Sequence, residues 1–147
     1  MRLSVVIPAY NRHELTARHV AECLKSSVLP DEIVVVNDGG PEYLRDLLKP
    51  LGGSVPIVYA RIEEDIPWAY NMACNLGIWL SRGDIIALED TDHIPSRDAY
   101  KNGLKVLEDN PDVDRVSFAR NIVQISTIGA PLEEWVSTGH MGSNQMV

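Results

Sequence analysis

The chain has 147 residues, 45% of them hydrophobic, enough for one domain with a real core and too few for two ordinary ones. A formal net charge of -8 and the lack of any Lys/Arg-rich block would set a phosphate backbone against repulsion, so no nucleic-acid partner is expected. No stretch approaches the roughly 20 apolar residues of a membrane span. The opening apolar run is too short for a signal peptide, and only Cys23 and Cys74 are present, both in helical patterns where a thiol behaves as a small hydrophobe, so a reducing, cytoplasmic setting is expected.

Leu3 to Ile7 is a β-branched apolar run closed by Pro8, a buried strand that leads into the loop Ala9-Tyr10-Asn11-Arg12. A helix follows, with Leu15, Val20, Cys23 and Leu24 on one broad face, and stops by Leu29-Pro30 because the residue before proline avoids the α region. Glu32 to Val36 is a second strand, apolar after its first residue, which leaves through Asn37-Asp38-Gly39-Gly40. Pro41 suits the start of a helix carrying Leu44, Leu47, Leu48 and Leu51, ended by Gly52-Gly53. Val55 to Ala60 is predicted as a third strand, Arg61 to Pro67 as a charged loop, and Ala69, Met72, Ala73, Leu76 and Leu80 as the stripe of a third helix. The fourth strand follows Gly83-Asp84 as a short apolar run and exits in Glu89-Asp90-Thr91-Asp92-His93-Ile94-Pro95, since a central strand cannot carry that proline. Ser96 is the expected N-cap of a helix with Tyr100, Leu104 and Leu107 on one face, and Arg115 to Ala119 is a fifth strand. From Asn121 the pattern weakens. The apolar stretch Ile122 to Ile128 reads as a sheet edge or as a surface for a second chain in a homo-oligomer.

Four alternations of strand and helix predict a three-layer α/β/α fold around a mostly parallel sheet, with ligands bound at the carboxyl edge of the strands. That edge would collect Ala9-Tyr10-Asn11, Asn37-Asp38-Gly39, the Arg61 to Pro67 loop and Asp90 to His93. Asp90 and Asp92 are two residues apart, so both carboxylates can reach toward one point as hard oxygen ligands for Mg2+ or Mn2+; the alternative is an Asp-rich turn that caps the next helix. In an acidic chain, a cation there would offset the charge of a bound nucleotide. No Gly-x-Gly-x-x-Gly follows the first strand and no Gly-Lys-Ser/Thr loop occurs, so neither a dinucleotide oxidoreductase nor a P-loop NTPase is supported.

Four segments taken in order, Ser4 to Arg12, Asp31 to Gly40, Asn75-Leu76-Gly77-Ile78 and Gly83 to Asp92, resemble successive motifs of family 2 glycosyltransferases with the GT-A fold. The resemblance covers about Met1 to Ala119 and implies a nucleotide-sugar donor held with a divalent cation across the carboxyl edge. It lays Pro8, Ala9 and Tyr10 along the nucleotide base, with Asp38 accepting a hydrogen bond from it, and puts Asn11, Asn75, Asp90 and Thr91 in the donor site. Asp90 and Asp92 match the family's two acids, Asp92 lying nearer the phosphates and the chemistry. His93, where an acid is common, is a metal ligand or a helix-entry residue, and Cys74 stands where many members carry an arginine.

Members of the family run well past a segment like Gly139 to Asn144, so the resemblance implies one GT-A domain over residues 1–147, truncated in its acceptor half. Glu133 and Glu134, the only carboxylates late in the chain, are candidates for the catalytic base or else exposed helical or loop acids; Trp135 is a sugar-stacking wall or a core or interface tryptophan, and His140 a candidate metal ligand. The expected activity is metal-dependent transfer of a hexosyl or N-acetylhexosaminyl group from a UDP-linked donor to a hydroxyl acceptor. The alternative is a non-catalytic nucleotide-sugar-binding domain that needs a partner for turnover. A sugar nucleotidyltransferase is disfavoured, because its glycine-rich phosphate loop is missing after the first strand.

Overall fold

The computed structural model describes residues 1–67, 69–123 and 137–146, with side chains through residue 118. In chain order the elements are β1 (Leu3–Ala9), α1 (His13–Cys23), β2 (Glu32–Asp38), α2 (Leu44–Leu48) with a 3-10 turn at Lys49–Leu51, β3 (Ile57–Ile62), α3 (Tyr70–Leu80), β4 (Ile85–Leu88), α4 (Ala99–Asp109), β5 (Val116–Val123) and β6 (Ser137–Met146). The sheet runs in the order β3-β2-β1-β4-β6-β5. β1 pairs in parallel with both β2 and β4, and β2 with β3, whereas β6 is antiparallel to both β4 and β5.

β1 and β2 are apolar on both faces because both faces are covered. Leu3, Val5, Ile7, Ile33 and Val35 pack under α1, α2 and α4, in one core with Val20, Cys23, Leu44, Leu48 and Tyr100. Val6, Val34 and Val36 point the other way, against Ala73 of α3. Helix α3 lies close on that face at Gly77, where an added Cβ would sit 2.4 Å from Val6 Cγ1. The expected three-layer α/β/α fold is what forms. Among the described residues no helix is long and apolar enough to cross a membrane.

Several boundaries differ from the sequence reading. Strand β3 begins at Ile57, two residues later than expected, and runs to Ile62. The second helix stops at Leu48 and tightens into the 3-10 turn, since Pro50 has no N–H to continue the α ladder. Helix α4 starts at Ala99 with Asp98 at its N-cap and no side-chain cap bond, so Ser96 does not cap it. Met72, placed in the buried stripe of α3, is 50% exposed, and the buried residues there are Ala73, Cys74 and Gly77. On α1 the buried face is His13, Thr16, His19, Val20 and Cys23, more polar than the Leu15 stripe predicted. Ile122 and Val123 fall in β5, the outermost strand of its side of the sheet; residues 124–128 lie outside the described residues. β6 was not foreseen. Its Gly/Ser/Asn-rich sequence gives no strand period, and pairing on both sides holds it in place.

Candidate functional site

Strands β1, β2 and β3 step outward in one direction, and α3 then carries the chain back to place β4 on the far side of β1. The sheet therefore reverses its order between β1 and β4, the point at which a doubly wound sheet opens a crevice outside its carboxyl ends. The loops leaving β1 (Ala9 to Arg12) and β4 (Glu89 to His93) meet there, fastened by Thr91 Oγ1, which donates to the Pro8 carbonyl at 2.8 Å. Asn11 turns the chain out of β1 with a positive φ of 50°, a conformation that asparagine tolerates better than most residues.

A cavity of about 410 Å³ opens beside this point, lined by Pro8, Ala9, Tyr10, Asp38, Asp65, Ile66, Pro67 and Tyr70. The loop after β2 forms one wall. Asn37 ties it by taking Gly40 N–H on its Oδ1 at 3.0 Å and donating through Nδ2 to the carbonyls of Gly40 and Pro41. Gly39, at φ 74°, lets this loop touch the Glu64-Asp65 backbone; a Cβ there would lie 2.6 Å from Asp65 Cα. That approach puts Asp65 beside Asp38. Asp38 is 7% exposed, and its Oδ1 has no hydrogen-bond partner. Burial raises its pKa, and the Asp65 charge raises it further. Tyr10 donates its hydroxyl to Asp65 Oδ2 at 3.3 Å, which, together with the Asp65 charge, pushes the phenol's pKa up.

At the other end of the cavity Tyr70, in the first turn of α3, donates its hydroxyl to Asp90 Oδ1 in a short bond. Burial first, and Asp90 second, push the Tyr70 pKa far above the ordinary phenol value, so it stays a donor. The His93 ring lies between the two acids, Nδ1 at 3.1 Å from Asp90 Oδ2 and Nε2 at 3.5 Å from Asp92 Oδ1. Arg12 Nη1 meets Asp92 Oδ2 at 2.5 Å. His93 N–H closes a turn on the Asp90 carbonyl at 2.9 Å, so Asp90 and Asp92 flank a single tight bend. As a place for Mg2+ or Mn2+ the pair fits by donor chemistry: hard carboxylate oxygens, each side chain about half exposed, with a guanidinium already standing in for positive charge.

Beneath this bend is a cluster that the sequence reading missed. Glu89 Oε2 receives His19 Nε2 at 2.6 Å and the Tyr100 hydroxyl at 3.2 Å, with Cys23 Sγ at 3.8 Å. His19 is fully buried, and its Nδ1 lies 3.1 Å from the Thr91 carbonyl. Burial opposes charge on the imidazole, but the hydrogen bonds to Cys23 and Glu89 and the Glu89 charge outweigh it and hold the pKa well above the ordinary value. Burial likewise keeps Cys23 a thiol and Tyr100 a phenol. Cys23, read from sequence as a plain small hydrophobe, is therefore part of a polar network.

Of the residues nominated from sequence, the structure brings together Pro8, Ala9, Tyr10 and Asp38 on the cavity, and Asp90, Asp92 and His93 in one cluster beside its Tyr70 wall. Thr91 is in the bend, its hydroxyl bound to β1 and its carbonyl to His19. Asn75 is exposed on α3 and does not line the cavity; Tyr70 is the contribution of that helix. Glu133, Glu134 and Trp135 lie outside the described residues, as does the side chain of His140. Asp65 and Tyr70 were missed, although the Arg61 to Pro67 loop was placed at this edge; a lone Asp among three acids and a Tyr on a helix carry no signal of their own.

The sequence matches the family described as Glycosyl transferase family 2 over residues 4–138. An uncharacterized glycosyltransferase of Rickettsia bellii (strain RML369-C) is 32% identical over 109 residues, 74% of this chain and 15% of that protein. A validoxylamine A glucosyltransferase of Streptomyces hygroscopicus subsp. limoneus is 33% identical over 91 residues, 60% of this chain and 20% of that protein. The chain thus spans a minor part of the length of the relatives it matches. Among solved structures, the mannosyltransferase PcManGT from Pyrobaculum calidifontis, in complex with GDP-Man and Mn2+, superposes with a TM-score of 0.69 at 21% identity, covering 87% of this chain and 37% of that one. TarS 1-349 of S. aureus in complex with UDP gives a TM-score of 0.64 at 18% identity, covering 84% of this chain and 38% of that one. A crevice at the β1/β4 reversal, an acidic bend at its lip and a match along nearly the whole chain lead to one statement: this chain belongs to glycosyl transferase family 2.

Proposed function

We propose that this chain is the donor-binding part of a cytoplasmic glycosyltransferase, one GT-A domain that takes a hexosyl or N-acetylhexosaminyl group from a uridine diphosphate sugar to a hydroxyl acceptor. The observation that carries the reading is the unpartnered, buried Oδ1 of Asp38 on a cavity large enough for a nucleoside. Such an oxygen accepts from a ring imino N–H, which uracil and guanine have and adenine and cytosine lack. Uridine, the smaller of the two, is the proposed nucleoside; Tyr10 gives the base a face to lie against.

Asp38, Asp65, Asp90 and Asp92 together would repel a diphosphate. Mn2+ or Mg2+ held by Asp90 and Asp92, with His93 beside them, would reverse that sign and stabilise the charge that develops on the departing diphosphate. Arg12, released from Asp92, is then a second cation for the phosphates, taking the place of the arginine that Cys74 replaces. In the transfer, the acceptor oxygen bonds to the anomeric carbon while its proton goes to a base, for which Glu133 and Glu134 are the candidates, and the bond to the diphosphate breaks.

The test is thermal stability with UDP, GDP, ADP and CDP, each with and without Mn2+. UDP is expected to raise Tm, and to do so only with the metal. No shift with any nucleotide, or a shift indifferent to Mn2+, overturns the reading. Release of free sugar from UDP-sugar separates an enzyme from a binding domain without turnover.

A further inference from the structure

The function proposed above requires Asp90 and Asp92 to keep a fixed spacing, and the residue that fixes it lies outside the cavity. Resting on that reading, we infer that His19 is a positioning residue for the Asp90-Thr91-Asp92 bend: its imidazole spans the buried Glu89 carboxylate and the Thr91 carbonyl, clamping the peptide between the two acids. The Thr91 carbonyl can only accept, so Nδ1, 3.1 Å away, must carry a proton and donate. Nε2, at 2.6 Å from Glu89 Oε2, anchors the ring's other end to the residue that opens the bend.

Three further bonds make the clamp directional. Glu89 N–H donates to the Val6 carbonyl at 2.9 Å, Thr91 Oγ1 to the Pro8 carbonyl at 2.8 Å, and Tyr100 holds Glu89 Oε2 from α4. Thr91 is thus fixed by side chain to β1 and by main chain to α1. Neither bond uses a carboxylate of Asp90 or Asp92, whose contacts run to Tyr70, His93 and Arg12. His19, Cys23 and Glu89 offer donor atoms within 4.8 Å of one another, a spacing that would also suit a metal. As the side chains stand, Nε2 and Oε2 are 2.6 Å apart, the separation of a hydrogen bond. The cluster is a hydrogen-bonded network.

Two substitutions split the clamp. The amide nitrogen of glutamine falls near Nε2, so His19→Gln keeps the Glu89 bond and loses the one to Thr91. That of asparagine falls near Nδ1, so His19→Asn keeps the Thr91 bond and loses the one to Glu89. His19→Asn should be the less stable of the two, since it takes from a buried carboxylate its shortest hydrogen bond and leaves it only the weaker donors Tyr100 and Cys23. The Mn2+-dependent affinity for UDP should rank the opposite way, with His19→Gln weaker by about 10–100-fold, as for outer partners of metal ligands, and His19→Asn near wild type. The crossed ranking is what a filler role cannot give; affinities that follow stability, or wild-type affinity in folded His19→Gln, overturn the inference. If neither variant folds, 15N spectra of the wild-type imidazole decide, because an Nδ1 without a proton cannot donate to Thr91. A wild-type protein whose UDP affinity ignores Mn2+ removes the metal-site reading and this inference with it; a metal-dependent wild type with an unaffected His19→Gln removes the inference alone.

Discussion

Asp38 sits where two demands conflict, since burial disfavours its charge while an open cavity leaves it a partner to find. Asp38→Ala should cost UDP binding roughly 1.5–3 kcal/mol, the range for a hydrogen bond to a charged group, and leave Tm close to wild type, since Oδ1 contributes no bond to the fold. Calorimetric titration of both proteins checks this, and unchanged affinity in a folded variant would take Asp38 out of the site. Because burial and Asp65 raise the Asp38 pKa, UDP affinity should be full at neutral pH and fall on acidification at a pH above the usual carboxylate range. At the other end of the crevice, Asp92→Asn keeps size and removes charge, so nucleotide binding should lose its Mn2+ dependence rather than merely weaken. Asp90→Asn should be milder toward the metal and harsher toward the sugar nucleotide, because Tyr70 still holds that side chain. An Asp92→Asn protein that keeps wild-type metal dependence would mean that the bend only leads into the next helix, a role asparagine fills as well as aspartate.

The elements carry two further expectations. Helix α3 rides on β1 and β2 at Gly77, and an added methyl would drive into Val6 Cγ1. Val6 lies in the central strand and cannot give way, so Gly77→Ala should destabilise by about 1–3 kcal/mol despite its better helix propensity; urea denaturation measures it. The cluster joining α1, β4 and α4 makes stability depend on pH. The His19 pKa is raised in the fold, so its contribution is fully present below the unfolded value near 6.5 and is lost as pH rises through the folded value. Cys23 and Tyr100 are also raised, and add losses that begin near their ordinary values of 9.0 and 10.0. Tm should therefore decline steadily on the alkaline side, and Glu89→Gln should flatten the first part of that decline. A Tm flat between pH 6.5 and 9 would show that His19 is not held charged.

For the whole molecule, strand order decides which pieces depend on one another. Among the described residues, β5 reaches the sheet only through β6, and β6 covers the edge of β4, the strand that delivers the acidic bend. Deleting residues 137–146 should leave β4 with an open edge and β5 unattached, giving a protein that self-associates and binds UDP poorly. Light scattering and the nucleotide thermal shift read both effects, and a monomeric, UDP-binding deletion would show that β6 is dispensable to the site.

What the amino-acid sequence determined by itself was local. Apolar runs such as Leu3 to Ile7 and Glu32 to Val36 specify doubly covered strands, and the turn residues after them, with Asp90 and Asp92 after β4, mark the edge where a ligand meets the sheet. Periodicity and turn chemistry act over a few residues, and a sequence displays them directly. Only the tertiary structure decided that β4 returns to the far side of β1, that a polar segment becomes β6, and that Tyr70 rather than Asn75 faces the cavity. It also decided that His19 finds Glu89 seventy positions away. The physical reason is that a buried polar group is tolerable only with its partner in place. Nothing in the spacing of His19, Cys23, Glu89 and Tyr100 reveals that pairing until the chain has closed the loops between them.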